Sequence, residues 1–182
     1  MKKSFYSTFG TSQDGAELAA TLAKLLDVEH QSDRTIQDHW SNSSLPHFSG
    51  IILGNGMMVA MGEQNFFVDG KIQQHVYPIC ETSIDSFLGF DNEFVEVAFD
   101  DRRVPVPGTN CFAIGGEGEM GNEGFVAVVN CAGLVWAGFF TGSNPFHQVH
   151  VADDCIVART THGTTWRFPL SAPWKVRIAN EG

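Results

Sequence analysis

Residues able to do chemistry are sparse in this chain of 182 residues, and each suggestive spacing meets a physical objection. Gly116-Glu117-Gly118-Glu119-Met120-Gly121 has the Gly-x-Gly-x-x-Gly spacing that lets a backbone approach a pyrophosphate. Such a site also needs a helix N-terminus behind the loop. Here Phe125-Val126-Ala127-Val128-Val129 follows and reads as a strand, and Glu117 and Glu119 would repel phosphate. Glu117, Glu119, Asn122 and Glu123 offer oxygens to Ca²⁺, but without the EF-hand order, and the segment reads as a mobile acidic turn. His147-Gln148-Val149-His150 resembles a metal pair, yet residues three apart on a strand point to opposite faces. One of these rings is expected at the surface and the other hydrogen-bonded in the core. Cys80, Cys111, Cys131 and Cys155 form no Cys-x-x-Cys and lack a helix start or an adjacent base to lower a thiol pKa. They are expected to be reduced, small buried hydrophobes. Neither Gly-x-Ser-x-Gly nor His-Glu-x-x-His occurs. No catalytic residue, metal or cofactor is assigned.

Charge is far more informative. The window 81–123 holds ten carboxylates against Arg102 and Arg103, so it carries −8 of the chain's net −10. A concentrated anionic field attracts cations and repels nucleic acid and anionic membrane, which leaves a basic protein as the expected macromolecular partner. Within the window, Phe94-Val95-Glu96-Val97-Ala98-Phe99 alternates as a strand, with Val95, Val97 and Phe99 on one face and Glu96 on the other. Asp100-Asp101-Arg102-Arg103 is expected to turn the chain, and Val104-Pro105-Val106-Pro107 to return as the second strand of a hairpin. Two prolines cannot donate to a ladder, which marks a sheet edge. Charge and proline there would protect that edge from strangers or make it a docking surface. For docking, the expected contacts are Glu96, Asp100 and Asp101 from the hairpin and Glu117, Glu119 and Glu123 from the glycine-rich loop. Trp40, in a polar setting, is the candidate exposed aromatic, and Phe112 a second possible anchor.

The elements that must position these residues are mostly strands. Composition is 43% hydrophobic and 18% charged, as in a globular chain, with 19 glycines and 15 phenylalanines. One domain is expected over 1–182, comprising an N-terminal helical segment 1–45 and an antiparallel β body 46–182. Asp14-Gly15-Ala16-Glu17 reads as a capping box, and Leu18, Leu22, Leu25 and Leu26 form an apolar stripe, which predicts a helix to about Asp27. From about Gly50, apolar runs are punctuated by Asn55-Gly56, Asp69-Gly70, Ala132-Gly133 and His162-Gly163. The run 125–128 followed by Gly133-Leu134-Val135-Trp136 recurs thirty residues later as 155–158 and Gly163-Thr164-Thr165-Trp166. This order resembles a blade hairpin of quinoprotein-type β-propellers. The length after the helix is too short for an ordinary closed ring. The expected fold is therefore mainly β with an N-terminal helix: stacked, twisted antiparallel sheets forming an open or partial propeller or a β-sandwich. Strands 125–129 and 134–140, apolar on both faces, should be central. Trp136, Trp166 and Trp174, with Phe139, Phe140, Phe146 and Phe168, are expected in the core rather than on a ligand platform.

Leu18-Ala19, Leu22-Ala23, Leu26-Asp27-Val28 and His30-Gln31-Ser32-Asp33, together with small size and acidity, resemble the start of many small immunity proteins of bacterial polymorphic-toxin and contact-dependent growth inhibition systems. The resemblance implies a cytoplasmic, non-enzymatic protein that binds and blocks a basic toxin domain, often a nuclease. An inhibitor of that kind covers the cationic cleft with carboxylates in place of phosphates. The cytoplasmic reading also rests on the absence of a signal-like apolar run after Met1-Lys2-Lys3. Two alternatives stand beside it: a Cys/His hydrolase and a ligand- or carbohydrate-binding β module.

Overall fold

The computed structural model describes residues 32–90, 93–99 and 102–180. The helix expected between Asp14 and Asp27 lies outside them. The described chain is mainly β, with a helix in the N-terminal segment and antiparallel sheets of which none closes into a barrel.

That helix, α1 (Arg34–Ser41), is capped by Asp33, whose carboxylate accepts from the Ile36 N–H at 3.0 Å. The strands β1 (Ser44–Pro46), β2 (Gly50–Leu53), β3 (Met57–Val68) and β4 (Lys71–Ser83) follow, then helix α2 (Ile84–Phe90). Next come β5 (Phe94–Glu96), β6 (Ala98–Phe99), β7 (Val104–Pro105), β8 (Phe112–Glu117), β9 (Gly124–Asn130) and β10 (Gly133–Phe140). The meander β11 (Phe146–Ala152), β12 (Cys155–Thr160), β13 (Thr164–Pro169) and β14 (Arg177–Asn180) completes the order.

The main sheet runs β4-β3-β2-β10-β9-β8-β6, with β7 also paired to β8. Its central pair, β9 and β10, is buried on both faces, as the doubly apolar runs 125–129 and 134–140 predict. One face carries Ile51, Val59, Val126, Val128, Trp136 and Phe140, which meet Phe146, Ile156, Trp166 and Phe168 of the β11–β14 sheet. The opposite face carries Ile52, Met58, Phe125, Ala127 and Phe139, covered by Ile36 of α1, Ile84 of α2, and the β1–β5 ribbon through Leu45 and Val95. A bulge at Val135 puts Val135 and Trp136 on the same side of the sheet, adding bulk to the inter-sheet core.

The two matching hairpins are β9–β10 and β12–β13, and they stand in different sheets. Their glycines, Gly133 at φ 129° and Gly163 at φ 84°, occupy backbone that side-chain-bearing residues rarely adopt. Trp136 and Trp166 both point into the shared core, where the Trp166 ring lies 4.8 Å from Phe140 and Trp136 lies 6.1 Å from Phe168. All seven aromatics expected in the core are buried, Trp174 included.

The hairpin expected from 94–99 and 104–107 does not form. The first run breaks at Val97, whose N–H donates to the Ser43 carbonyl at 2.7 Å. β5 pairs with β1, while β6 and β7 both pair with β8. Competition decided this: β8 offers a long partner already fixed to the central pair, whereas two prolines weaken 104–107 as a partner. The expected edge is nonetheless an edge, because β6 and β7 are the outermost strands there.

Gln37 fastens α1 to the sheet. Its amide donates to the carbonyls of Gly54 (3.1 Å) and Leu134 (2.9 Å) and accepts from the Leu134 N–H (2.9 Å). Gln37→Ala should lower unfolding free energy by about 1–3 kcal/mol, because half-buried backbone groups lose their partners. Urea denaturation checks this; a change below ~0.5 kcal/mol would remove Gln37 from the list of fasteners.

Candidate functional site

The candidate surface is the β6/β8 edge of the main sheet. Glu117 ends β8, opposite Ala98 of β6, and Gly116 sits opposite Phe99. A Cβ at Gly116 would collide with the Ala98 carbonyl, so glycine there lets β6 lie this close. Beyond Glu117 the chain turns through Glu119, whose carboxylate accepts from the Glu96 N–H at 3.0 Å. Glu96, Glu117 and Glu119 are all exposed. Two segments remote in sequence thus present three carboxylates on one rim.

Glu123 departs from expectation. It is only 2% exposed, and its carboxylate accepts from the Met120 N–H at 3.1 Å and meets His47 Nε2 at 2.8 Å. It is therefore removed from the docking surface and holds the acidic loop from beneath. His47 Nδ1 in turn lies 3.5 Å from the Glu93 carboxylate, and the His47 N–H donates to the Glu93 carbonyl at 3.0 Å. The His47–Glu123 contact spans 76 positions, and no local spacing signals it.

Trp40 also differs from its expected exposed role. It is half-buried, stacked at 6.0 Å on Phe99 and edge-on at 6.2 Å to Phe125, so it supports the rim from behind. Phe99 and Phe112 themselves remain exposed. Asp100 and Asp101 lie outside the described residues. Beside the rim runs an open cleft of about 480 Å³, lined by Phe99, Arg102, Glu117, Phe146, His147 and Thr161. Its mixed charge and aromatic wall suit a side chain carrying both an apolar stem and a cationic head.

All four cysteines are free; Cys111 is buried, Cys155 half-buried, and Cys80 and Cys131 exposed, contrary to the expectation of four buried thiols. None of the four hydrogen-bonds a histidine among the described residues. His147 and His150 are both exposed, so the expected core histidine is absent from that pair. Among the described residues no group of three or more His, Cys, Asp or Glu is placed to hold a metal ion, and no helix is long and apolar enough to cross a membrane. A second polar cluster escaped sequence reasoning. The Ser49 hydroxyl donates to Glu63 and lies 3.0 Å from Thr141 Oγ1, while Gln74 donates to Glu63 (3.4 Å) and to the Gly142 carbonyl (3.0 Å). These contacts tie the long β3–β4 hairpin to the β10–β11 loop.

Burial by itself would push the His47 pKa down, but the hydrogen bond and charge of Glu123, joined by Glu93, outweigh it and hold the imidazole above its ordinary value of 6.5. A folded-state pKa above the unfolded one stabilises the fold fully below pH 6.5 and progressively less as pH rises through the folded value. The stability advantage of the native chain over His47→Gln should therefore be larger at about pH 6 than at about pH 8.5. Urea unfolding at both values checks this, and an equal advantage at the two would break the inferred link.

A scan against protein-family models and searches of curated proteins and of solved structures each returned no match for this chain.

Proposed function

We propose that this chain is an immunity protein that acts in the cytoplasm, binding and neutralising a basic toxin domain, in particular a nuclease, by laying its acidic edge over the toxin's active cleft. The observation that carries the proposal is the convergence of Glu96, Glu117 and Glu119 on one exposed rim, fixed by the hydrogen bond from the Glu96 N–H to Glu119. A nuclease cleft is lined with cationic groups that hold phosphates, so carboxylates on a rigid rim can occupy those positions in competition with nucleic acid. Rigidity matters because ordering a mobile loop at the moment of binding would offset the electrostatic gain. Here β8 fixes Glu117, and the buried Glu123 holds the loop that carries Glu119.

The net charge of −10 adds long-range attraction for a basic partner and raises the encounter rate. Beside the rim, exposed Phe99, backed by Trp40, offers an apolar contact that would slow dissociation. Burial of Trp136, Trp166 and Trp174 weighs against a carbohydrate platform built from those rings.

The test is co-purification with the product of the gene adjacent to that of this chain, followed by calorimetric titration at low and moderate salt. The native chain should bind that product, and more weakly as salt rises. Glu96→Lys/Glu117→Lys/Glu119→Lys should weaken binding at least about tenfold while keeping the native circular dichroism spectrum. Binding that ignores the triple variant would discard the rim as the contact surface. Failure to bind any basic product of the adjacent gene would discard the immunity reading.

A further inference from the structure

Two segments remote in sequence carry the acidic rim, and one side chain touches both of them. β5 bears Glu96 and pairs with β1, with Ser44 opposite Glu96 and Pro46 opposite Phe94. The loop 118–123 bears Glu119 and is stitched to this ribbon at one end, where Glu119 accepts from the Glu96 N–H at 3.0 Å. His47, the residue after β1, makes a second stitch at the other end. Its Nε2 lies 2.8 Å from the Glu123 carboxylate and its Nδ1 3.5 Å from the Glu93 carboxylate, while its backbone N–H donates to the Glu93 carbonyl at 3.0 Å. The loop folds closely over this contact: a Cβ at Gly118 would collide with the Glu123 carboxylate and stand 3.1 Å from Phe139 Cε2. One imidazole thus joins the far end of the loop to the far end of the ribbon.

Both of its side-chain contacts need a proton. An imidazolium donates from both ring nitrogens, and a neutral imidazole from one only. Glu123 keeps the remaining donor, because it is 2% exposed and a buried carboxylate without a donor costs more than an exposed one. Nδ1 then turns a lone pair toward the Glu93 carboxylate. One cation and two carboxylates sum to −1, and to −2 once the ring is neutral. Among the described residues Glu123 and Glu93 are the titratable groups paired with the ring; its aromatic neighbour, Phe139 of β10, lies edge-on at 6.1 Å. Burial lowers the His47 pKa and the two carboxylates raise it further, so both contacts hold at about pH 6 and the one to Glu93 is lost by about pH 8.5.

We propose that His47 is a proton-dependent clasp, which holds β5 and the 118–123 loop as one body while the ring is charged and releases the Glu93 end of the ribbon when it is neutral. The consequence for binding rests on the rim being the contact surface for a basic partner, and its sign is distinctive. Glu93 precedes Glu96 by three positions, about 10 Å along the strand, which exceeds the screening length of roughly 8 Å. The lost charge therefore acts on the rim through its rigidity and hardly through its field. A segment that has to be ordered at the moment of binding gives up part of the affinity. By charge alone, a chain with seven histidines grows more negative as pH rises and binds a cation more tightly. The clasp works in the opposite direction.

Backbone order parameters from ¹⁵N relaxation of the full chain test the clasp, and titration with nona-arginine, whose charge is fixed across this pH range, tests its effect on the rim. Residues 94–96 and 118–122 of the native chain should be rigid at about pH 6, with order parameters near about 0.85, and should fall below about 0.7 at about pH 8.5. In His47→Gln, whose amide does not titrate, they should be low at both values. Glu93→Gln, a gentler change at an exposed side chain, should hold the segments equally at both, because an amide pairs with either form of the ring. Nona-arginine should lose affinity for the native chain between the two values by a factor at least about threefold above that for His47→Gln. Order that ignores pH in the native chain, or follows it equally in His47→Gln, would overturn the clasp. Binding that needs the rim yet shows the same pH dependence in both chains would overturn its effect on the partner. Order that follows pH while nona-arginine binds the native chain and Glu96→Lys/Glu117→Lys/Glu119→Lys alike would uphold the clasp and count against the rim as a contact surface, so the two readings fail separately.

Discussion

Everything else in this molecule leans on the β9–β10 pair. Its strands are buried on both faces, and both covering layers rest on them: the β11–β14 sheet packs on Val126, Val128, Trp136 and Phe140, and the helices and β1–β5 ribbon on Phe125, Ala127 and Phe139, with β2 and β3 adding Ile51 and Val59 to the first face and Ile52 and Met58 to the second. Fully burying a side chain of this class is worth about 1.5–3 kcal/mol, so this pair is the largest concentration of hydrophobic stabilisation in the fold. Space is as constraining as apolarity. A Cβ at Gly138 would stand 3.0 Å from Ile51 Cδ1 and 3.4 Å from Phe168 Cε1, so glycine there lets the facing sheets close.

From that pair outward the two edges of the main sheet solve one problem differently. Among the described residues neither edge strand has a strand partner on its outer side, an arrangement that invites adventitious pairing. On the β8 side the answer is two short strands, prolines and carboxylates; on the β4 side it is one proline and one bulge at the strand's inner end, together with β14 packed against β4. The acidic side then needs its loop held in place, because mutual repulsion among Glu96, Glu117 and Glu119 works against a compact rim. His47, Glu123 and the Met120 N–H supply that hold from inside. A charge-assisted bond is stronger than a neutral one, so a carboxylate spent in the interior stabilises the position of those left outside.

Legibility in the sequence followed the range of the interaction. The double-sided apolarity of 125–129 and 134–140, the turns at Gly56, Asp69-Gly70, Gly133 and Gly163, and the burial of Trp136 and Trp166 are local properties that alternation and turn chemistry encode. Mainly-β character and an unclosed set of antiparallel sheets followed from them. Partner choice between strands was not local. The 94–99 run had a sequence neighbour available at 104–107, yet β6 chose β8 and β5 chose β1, which only the assembled sheet determines. Glu123 misled for the same reason: its sequence neighbours mark a solvated turn, and the partner that buries it arrives from a loop 76 positions away. Trp40 sits among polar residues in sequence, but Phe99 and Phe125 come to it only in the fold.

The separation of charge from exposed apolar surface is what ties the architecture to binding. Had the exposed Phe66 and Phe67 of the β3–β4 ribbon stood beside the carboxylates of the β6/β8 rim, any apolar contact made there would have had to desolvate carboxylates without neutralising them. With six strand spacings, about 30 Å of sheet, between the two edges, the rim can meet a cationic partner without drawing the ribbon's apolar side chains into the contact. That independence requires a stiff connector. Antiparallel ladders running from β4 to β6 through a doubly buried centre provide one, because displacing either edge would open the core that both faces share.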